Sequence, residues 1–238
     1  MALTTTRLHA SHEVARGTRA FEIDKPAGFA FKPGQAFEII LPGPGEGEDT
    51  RHAFSIVSAP HEPRLMFATR MRDSVYKRHL GALQPGARID VDGPFGSLTL
   101  HKKPERAGVL IAGGIGITPF MSMLRHAAHV RSTQPLALLY SNRRPEDTAF
   151  LAELQQLAQA HPQLHLHATM TDMAQSQQPW SGATQMIDVA FVQNATRALP
   201  SPIYYVSGPP GLVEAMRNTL EAAGVDEDDV RSEEFFGY

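Results

Sequence analysis

The chain of 238 residues contains no cysteine. This excludes disulfides, cysteine-ligated zinc, iron–sulfur clusters and a thiol nucleophile. An excess of positive charge is also missing: 22 Lys and Arg against 25 Asp and Glu leave a net charge of −3. Composition therefore gives no footprint for nucleic acid or an anionic membrane surface. Long hydrophobic runs are absent, and the most apolar stretches, near residues 109–117 and 136–140, reach about half the length of a membrane span. The first 25 residues lack the apolar core of a secretory signal, so cytoplasm is the expected compartment. Tryptophan occurs once, at Trp180 beside Pro179, where packing or loop anchoring explains it. What is present, 42% hydrophobic residues over this length, supports one large domain or two of about 100–140 residues. Nothing suggests an obligate dimer, and a monomer is expected.

The two halves carry different periodicities. Between residues 8 and 100, short runs of strand formers occur at 19–23, 36–41, 53–57, 65–70, 88–91 and 97–100. They are separated by turn signals such as Lys32-Pro-Gly34, Gln84-Pro-Gly86 and Gly93-Pro-Phe-Gly96. This spacing predicts an antiparallel barrel or sandwich. One helix interrupts it at 74–83, with Val75, Leu80 and Leu83 apolar among Lys77, Arg78 and His79. Beyond residues 102–105 the pattern alternates between strands (107–112, 136–140, 164–170, 203–207) and helices (119–130, 147–160, 187–193, 211–223). That alternation predicts a parallel sheet covered by helices. The expected architecture is therefore two domains, an antiparallel β-barrel over 1–103 and an α/β unit over 104–238. Residues 43–49 and 173–181 read as loops.

Three glycine- or arginine-bearing turns fall at the carboxyl ends of predicted parallel strands. Gly113-Gly-Ile-Gly-Ile-Thr-Pro119 follows a buried strand and opens a helix, where free amides attract a pyrophosphate and glycine lets the backbone approach it. Pro119 suits the first helical turn. Tyr205-Val-Ser-Gly-Pro-Pro-Gly211 repeats the arrangement, and Tyr140-Ser-Asn-Arg-Arg-Pro145 adds Ser141 and the guanidinium groups of Arg143 and Arg144. Together they predict a nucleotide crevice at one sheet edge. In the first half, Arg51, His52, Phe54 and Ser55 set cation, ring and hydroxyl within five residues of a strand. Thr69-Arg-Met-Arg-Asp-Ser74 then leads into a capped helix start, a second anion site.

These motifs, in this order over nearly the whole chain, resemble the ferredoxin–NADP reductase superfamily. The resemblance implies a flavin-binding barrel followed by a pyridine-nucleotide domain. The family's Arg-x-Tyr/Phe-Ser/Thr signature maps onto Phe54 as the ring against the flavin and Ser55 as the hydroxyl near flavin N5. His52 stands in the arginine's register, with Arg51 one residue earlier, and either could meet the flavin phosphate. Phe31-Lys-Pro-Gly-Gln35 and Gly93-Pro-Phe-Gly96 resemble the family's barrel turns. Thr69, Arg70 and Met71 match the segment along the flavin ring, and Asp73 and Ser74 match a pyrophosphate site that implies FAD. Gly114, Gly116, Thr118 and Pro119 match the nucleotide turn. Ser207, Gly208 and Pro209 match a nicotinamide-side Cys-Gly-Pro in which a hydroxyl replaces the thiol. At the C-terminus, Phe235, Phe236 or Tyr238 would cover the flavin. Glu233 or Glu234 would supply an acid, with Glu234 placed beside Ser55 and Ser207 as catalytic.

The implied activity is that of an FAD-dependent NAD(P)H reductase. Electrons would pass to an external ferredoxin, flavodoxin or haem protein. Arg143 and Arg144 favour NADPH, whereas Asp172 at a strand end favours a ribose hydroxyl and tilts the expectation to NADH. Two alternatives remain open: a reductase of free flavin or ferric complexes, and a non-catalytic flavin-binding subunit. Metal is not expected. The pairs His126/His129 and His165/His167 lack a third ligand of matching spacing, and no Gly-x-Ser-x-Gly elbow supports a hydrolase.

Overall fold

The computed structural model describes residues 3–42 and 50–235. The expected loop at 43–49 and the candidate flavin-covering residues Phe236 and Tyr238 lie outside the described residues. Strands β1 (Thr4–Ala15), β2 (Thr18–Asp24), β3 (Ala36–Ile40), β4 (Arg51–Ser55), β5 (Arg64–Arg70) and β6 (Arg88–Phe95) build one antiparallel sheet in the order β4-β3-β6-β1-β2-β5. Its edges approach each other just past β4, where the Val57 N–H donates to the Met66 carbonyl at 2.7 Å. Alternate residues point inward, and Phe21, Phe37, Ile39, Leu65, Phe67, Ile89 and Val91 fill the interior. Phe21 and Phe67 stack with centroids 5.2 Å apart.

Three expectations need correction here. β1 is absent from the predicted strands because its sequence, Thr-Thr-Thr-Arg-Leu-His-Ala-Ser-His-Glu, is mostly polar; only Thr6 and Leu8 in it are buried. The run 97–100 forms no strand, and Leu98 instead joins the core shared with the second half. Helix α1 (Val75–Ala82) forms where expected, capped by Ser74 Oγ, which accepts the Lys77 N–H at 3.2 Å. Its inward face is Tyr76 and Leu80, however, and Val75 is 61% exposed.

The second half alternates as predicted: β7 (Gly108–Gly113), α2 (Thr118–His129), β8 (Leu136–Asn142), α3 (Leu151–Ala160), β9 (Leu164–Met170), α4 (Val189–Thr196), β10 (Ile203–Gly208) and α5 (Pro210–Ala222). α3 begins four residues later than expected, because a 3-10 turn at Pro145–Asp147 and a left-handed Phe150 (φ 61) precede it. A strand the sequence did not announce, β11 (Val230–Glu234), adds in parallel to β10 and completes the order β11-β10-β7-β8-β9. β7 is central and buried along its whole length, as its apolar run requires. From it the chain winds first toward β9 and then, through β10, toward the other edge. The switch point between β7 and β10 opens a crevice beyond their carboxyl ends.

The halves are joined by a common core. Ala20, Val57 and Ala68 from the first sheet pack in one cluster with Phe120, Met121 and Leu124 of α2. Ser122 Oγ donates to the Ser58 carbonyl at 2.7 Å. The half-buried Arg125 guanidinium forks onto Glu153 at 2.6 and 2.8 Å and reaches Glu62 at 3.5 Å. Among the described residues, no helix is long and apolar enough to cross a membrane.

Candidate functional site

Two cavities flank the switch point. The first, about 300 Å³, is lined from the antiparallel sheet by His52, Phe54, Ser55 and Phe95, and from the second half by Thr118, Glu233, Glu234 and Phe235. Residues His52 to Ser55 all line it, and strand alternation divides them between two faces. His52 and Phe54 share the face that packs on α1, with the His52 ring edge-on to Tyr76 at 4.1 Å and Phe54 tilted against Phe67 at 4.8 Å. Arg51 lies on the opposite face, bound to Glu38 at 3.2 Å and Asp92 at 3.5 Å. Of the two residues left open by the sequence, His52 is thus the one beside the ring.

Buried polar atoms without a hydrogen-bond partner concentrate here. Ser55 Oγ and Glu233 Oε2 line this cavity, and Ser207 Oγ sits on the strand next to Glu233, with which it is in register. An unpartnered buried hydroxyl or carboxyl costs about 1–3 kcal/mol, so the two that line the cavity fit polar ligand atoms. Burial raises the Glu233 carboxyl above the usual carboxylate range. Glu234, the acid assigned from sequence, is exposed, although it also lines the cavity rim. The alternation along β11, which puts one glutamate in and the next out, could not be read before β11 itself was known. Phe235 reaches the same cavity because its N–H donates to the Gly208 carbonyl at 2.9 Å. A flat aromatic face, an unpartnered hydroxyl and a buried acid fit a planar heteroaromatic ring with polar edges.

The second cavity, about 320 Å³, opens at the ends of the parallel strands. Gly113, Gly114, Ser141, Asn142, Arg143, Thr171 and Pro209 line it from the second half, and Arg70 and Arg72 from the end of β5. Its charged lining residues are three arginines, which suits a phosphate-bearing ligand. Gly114 turns there at φ 56 with open space where a Cβ would stand. Gly116 has the opposite reason for being glycine. A Cβ on it would lie 2.2 Å from the Ser207 carbonyl oxygen, so α2 can start against β10 only without one.

Other expected residues are placed differently. Arg144 binds Asp147 at 2.8 Å and does not line the cavity. The same carboxylate takes Arg16 at 2.8 Å, which makes Arg144 part of a structural ion cluster. Asp172 donates its N–H to the Arg143 carbonyl at 2.9 Å and is also outside the lining. Asp73 is exposed and pairs with Arg78. Met71 packs against the first core, and Thr69 is buried with its hydroxyl accepting from Lys77 Nζ. Lys77 was not singled out from sequence. Its signal was helical spacing: once Ser74 caps the helix, position 77 falls between the inward Tyr76 and Leu80. Its ammonium stands 4.6 Å above the Phe54 ring, and burial lowers its pKa to about 8.

Comparison with known proteins agrees with this geometry. A family model for an oxidoreductase NAD-binding domain matches residues 110–218. The glycine betaine monooxygenase reductase subunit of Chromohalobacter salexigens is 28% identical over 221 residues, covering 92% of this chain and 60% of the relative. The chain thus spans about 60% of the length of the first curated relatives it matches. A ferredoxin NADP+ reductase structure from Neisseria gonorrhoeae, described with bound FAD and NADP, superposes with a TM-score of 0.80 at 22% identity, over 98% of this chain and 99% of that one. Ferredoxin–NADP reductase B of Sorangium cellulosum is 31% identical over 206 residues, which are 83% of this chain and 82% of the relative. On that match, together with the two-sheet architecture and the turns at its switch point, the chain belongs to the ferredoxin–NADP reductase superfamily.

Proposed function

We propose that this chain is an FAD-dependent NAD(P)H oxidoreductase that hands electrons singly to an external acceptor such as a ferredoxin, a flavodoxin or a haem protein. The observation that carries the reading is the convergence of Ser55 and Glu233, one from each half and each with an unpartnered buried polar atom, on one cavity beside a glycine-lined, arginine-rich second one. In this reading residues 1–103 hold FAD, and residues 104–238 hold the nucleotide and end in a segment that covers the flavin. The Neisseria structure with bound FAD and NADP supports the cofactor pair, and the Chromohalobacter relative, a reductase subunit of a monooxygenase, supports an acceptor outside the chain.

Bound FAD supplies a hydride acceptor that can release electrons one at a time. The chain's own residues bind and orient. Phe54 and Phe235 offer ring faces, Ser55 Oγ offers a hydrogen bond at the ring edge, and Glu233 sets an unpartnered carboxyl oxygen in the same cavity. Gly114 and the start of α2 give a pyrophosphate close backbone approach, Arg70, Arg72 and Arg143 neutralise it, and the Ser207–Pro209 turn places the nicotinamide end. The Phe54 and Phe235 side of the cavity also keeps water from the reacting atoms. NADH is the preferred nucleotide: Arg144 is occupied by Asp147, and Asp172 adds negative charge beside it.

The test is the visible spectrum of the protein after gel filtration, followed by anaerobic titration with NADH and, separately, NADPH. A flavin band at about 450 nm that bleaches, sooner with NADH, is the expected result. A colourless protein that takes up no added FAD overturns the reading. If flavin binds but is lost on the column, flavin is a substrate. A yellow protein that neither nucleotide bleaches leaves only a binding subunit.

A further inference from the structure

The cation above the Phe54 ring is not accounted for by the fold. Lys77 Nζ lies 4.6 Å from the Phe54 centroid and 5.7 Å from that of Tyr76, and donates to the Thr69 hydroxyl. Among the described residues no carboxylate forms an ion pair with it; its partners are the two rings and the Thr69 hydroxyl, and burial disfavours its charge. A half-buried ammonium in that state is costly to the folded chain. On the outer face of this helix turn, Arg78 has Asp73 as a counter-ion, so the neighbouring lysine is not short of carboxylates by composition.

The strand opposite explains what such a charge is for. In the Arg51–Ser55 strand the residue that shares Phe54's face is His52, not a guanidinium. The one arginine of that strand is turned away and neutralised by Glu38 and Asp92. A site whose strand lacks a permanent cation has one delivered instead from the first turn of α1, onto the same ring. We propose that Lys77 is the residue that takes the phosphoryl group of the flavin's ribityl chain, replacing the strand cation that position 52 does not supply. The inference rests on the flavin reading above. The shared chemistry is a phosphate monoester or diphosphate carried next to an aromatic ring system, as in FMN or FAD.

The experiment measures binding rather than turnover. Flavin-free full-length protein is titrated with FAD, FMN and riboflavin, reading flavin fluorescence, for the native chain, Lys77→Met, Lys77→Arg and the double variant Lys77→Met with His52→Arg. Loss of one charge-assisted pair predicts roughly 10- to 100-fold weaker binding of FAD by Lys77→Met. Riboflavin, which has no phosphate, should bind both proteins within about 2-fold, and Lys77→Arg should stay within about 3-fold of native for FAD. His52→Arg should restore most of what Lys77→Met loses. FMN affected as strongly as FAD places the contact at the ribityl-chain phosphate and supports the assignment; FMN unaffected places it at the outer phosphate and overturns it. Equal losses for riboflavin and FAD overturn it, since Lys77 then holds the ring or the fold, and so does unchanged FAD binding by Lys77→Met. Because the variant removes an unpaired buried charge, its thermal midpoint should not fall, which separates a lost contact from a failed fold. If native protein binds none of the three flavins, the functional reading fails and the inference with it. Native binding with an indifferent Lys77 removes the inference alone.

Discussion

Replacing Gly116 by Ala tests whether the start of α2 must press directly on the end of β10. The added Cβ would stand 2.2 Å from the Ser207 carbonyl oxygen, 2.5 Å from its carbonyl carbon and 2.7 Å from Gly208 Cα. All three are backbone atoms of a strand held between β7 and β11, so no side chain can swing aside. Reaching an ordinary contact of about 3.4 Å requires the two elements to part by about 1.2 Å. Overpacking of this kind costs about 1–3 kcal/mol, and with backbone on both sides the upper part of that range applies. For a chain of this size a loss of about 2–3 kcal/mol lowers the thermal midpoint by roughly 4–12 °C. The same displacement moves Ser207 by about 1 Å, so reduction of bound flavin by NAD(P)H in stopped flow should slow by at least about 10-fold. FAD content should fall as well, because Gly208 holds Phe235 and Ser207 is paired with Glu233, and both of these line the first cavity. Gly114→Ala is the control. It meets no atom within 4 Å and carries only the cost of a left-handed alanine, about 1–2 kcal/mol. If Gly116→Ala melts with the native protein, or no lower than Gly114→Ala, the close approach does not constrain the fold as argued.

Other outcomes follow from the same structure. Arg125→Met removes the guanidinium that holds Glu153 within the second half and Glu62 across the seam between the halves, and should cost about 1–3 kcal/mol. A double-mutant cycle with Glu62→Gln should show a coupling energy, and strict additivity would refute the bridge. Ser55→Ala deletes an unpartnered buried hydroxyl, so flavin-free protein should melt no lower than native while flavin reduction slows; an unchanged stopped-flow rate would remove Ser55 from the chemistry. For Glu233, burial raises the folded-state pKa above the unfolded value. Its contribution to stability is therefore full below the unfolded pKa and is lost as pH rises through the folded one. Relative to Glu233→Gln, the native midpoint should fall as pH rises above 4.5, and a difference that stays constant with pH would show the carboxyl to be solvated.

Much of the fold was legible because its signals are local. The continuous apolar run of β7 and the alternation of Phe21 and Ile23 in β2 each bury a face that no other assignment would bury. β1 was not legible, since its twelve residues hold their place mainly by ladder hydrogen bonds to β2 and β6 rather than by side-chain burial. β11 was hidden for a related reason: Val-Arg-Ser-Glu-Glu has no strand periodicity and becomes a strand only because β10 offers an open edge. The site followed the same division. Phe54, Ser55 and the Gly114–Pro119 turn could be singled out by residue type and spacing. The choice of Glu233 over Glu234, of His52 over Arg51, and the removal of Arg144 into a cluster with Asp147 and Arg16 depend on partners far away in the chain.

The cluster that packs Ala20, Val57 and Ala68 of the first half against Phe120, Met121 and Leu124 of α2 bears on how such chains can be recombined. A swapped sheet would bring its own side of this seam, and an ill-matched seam would expose apolar surface on both pieces at once. Exchange between relatives is then expected to succeed only when the segments around residues 57–68 and 118–125 travel together. The unit of inheritance would be a pair of facing surfaces drawn from both halves, cutting across the boundary that chain order suggests.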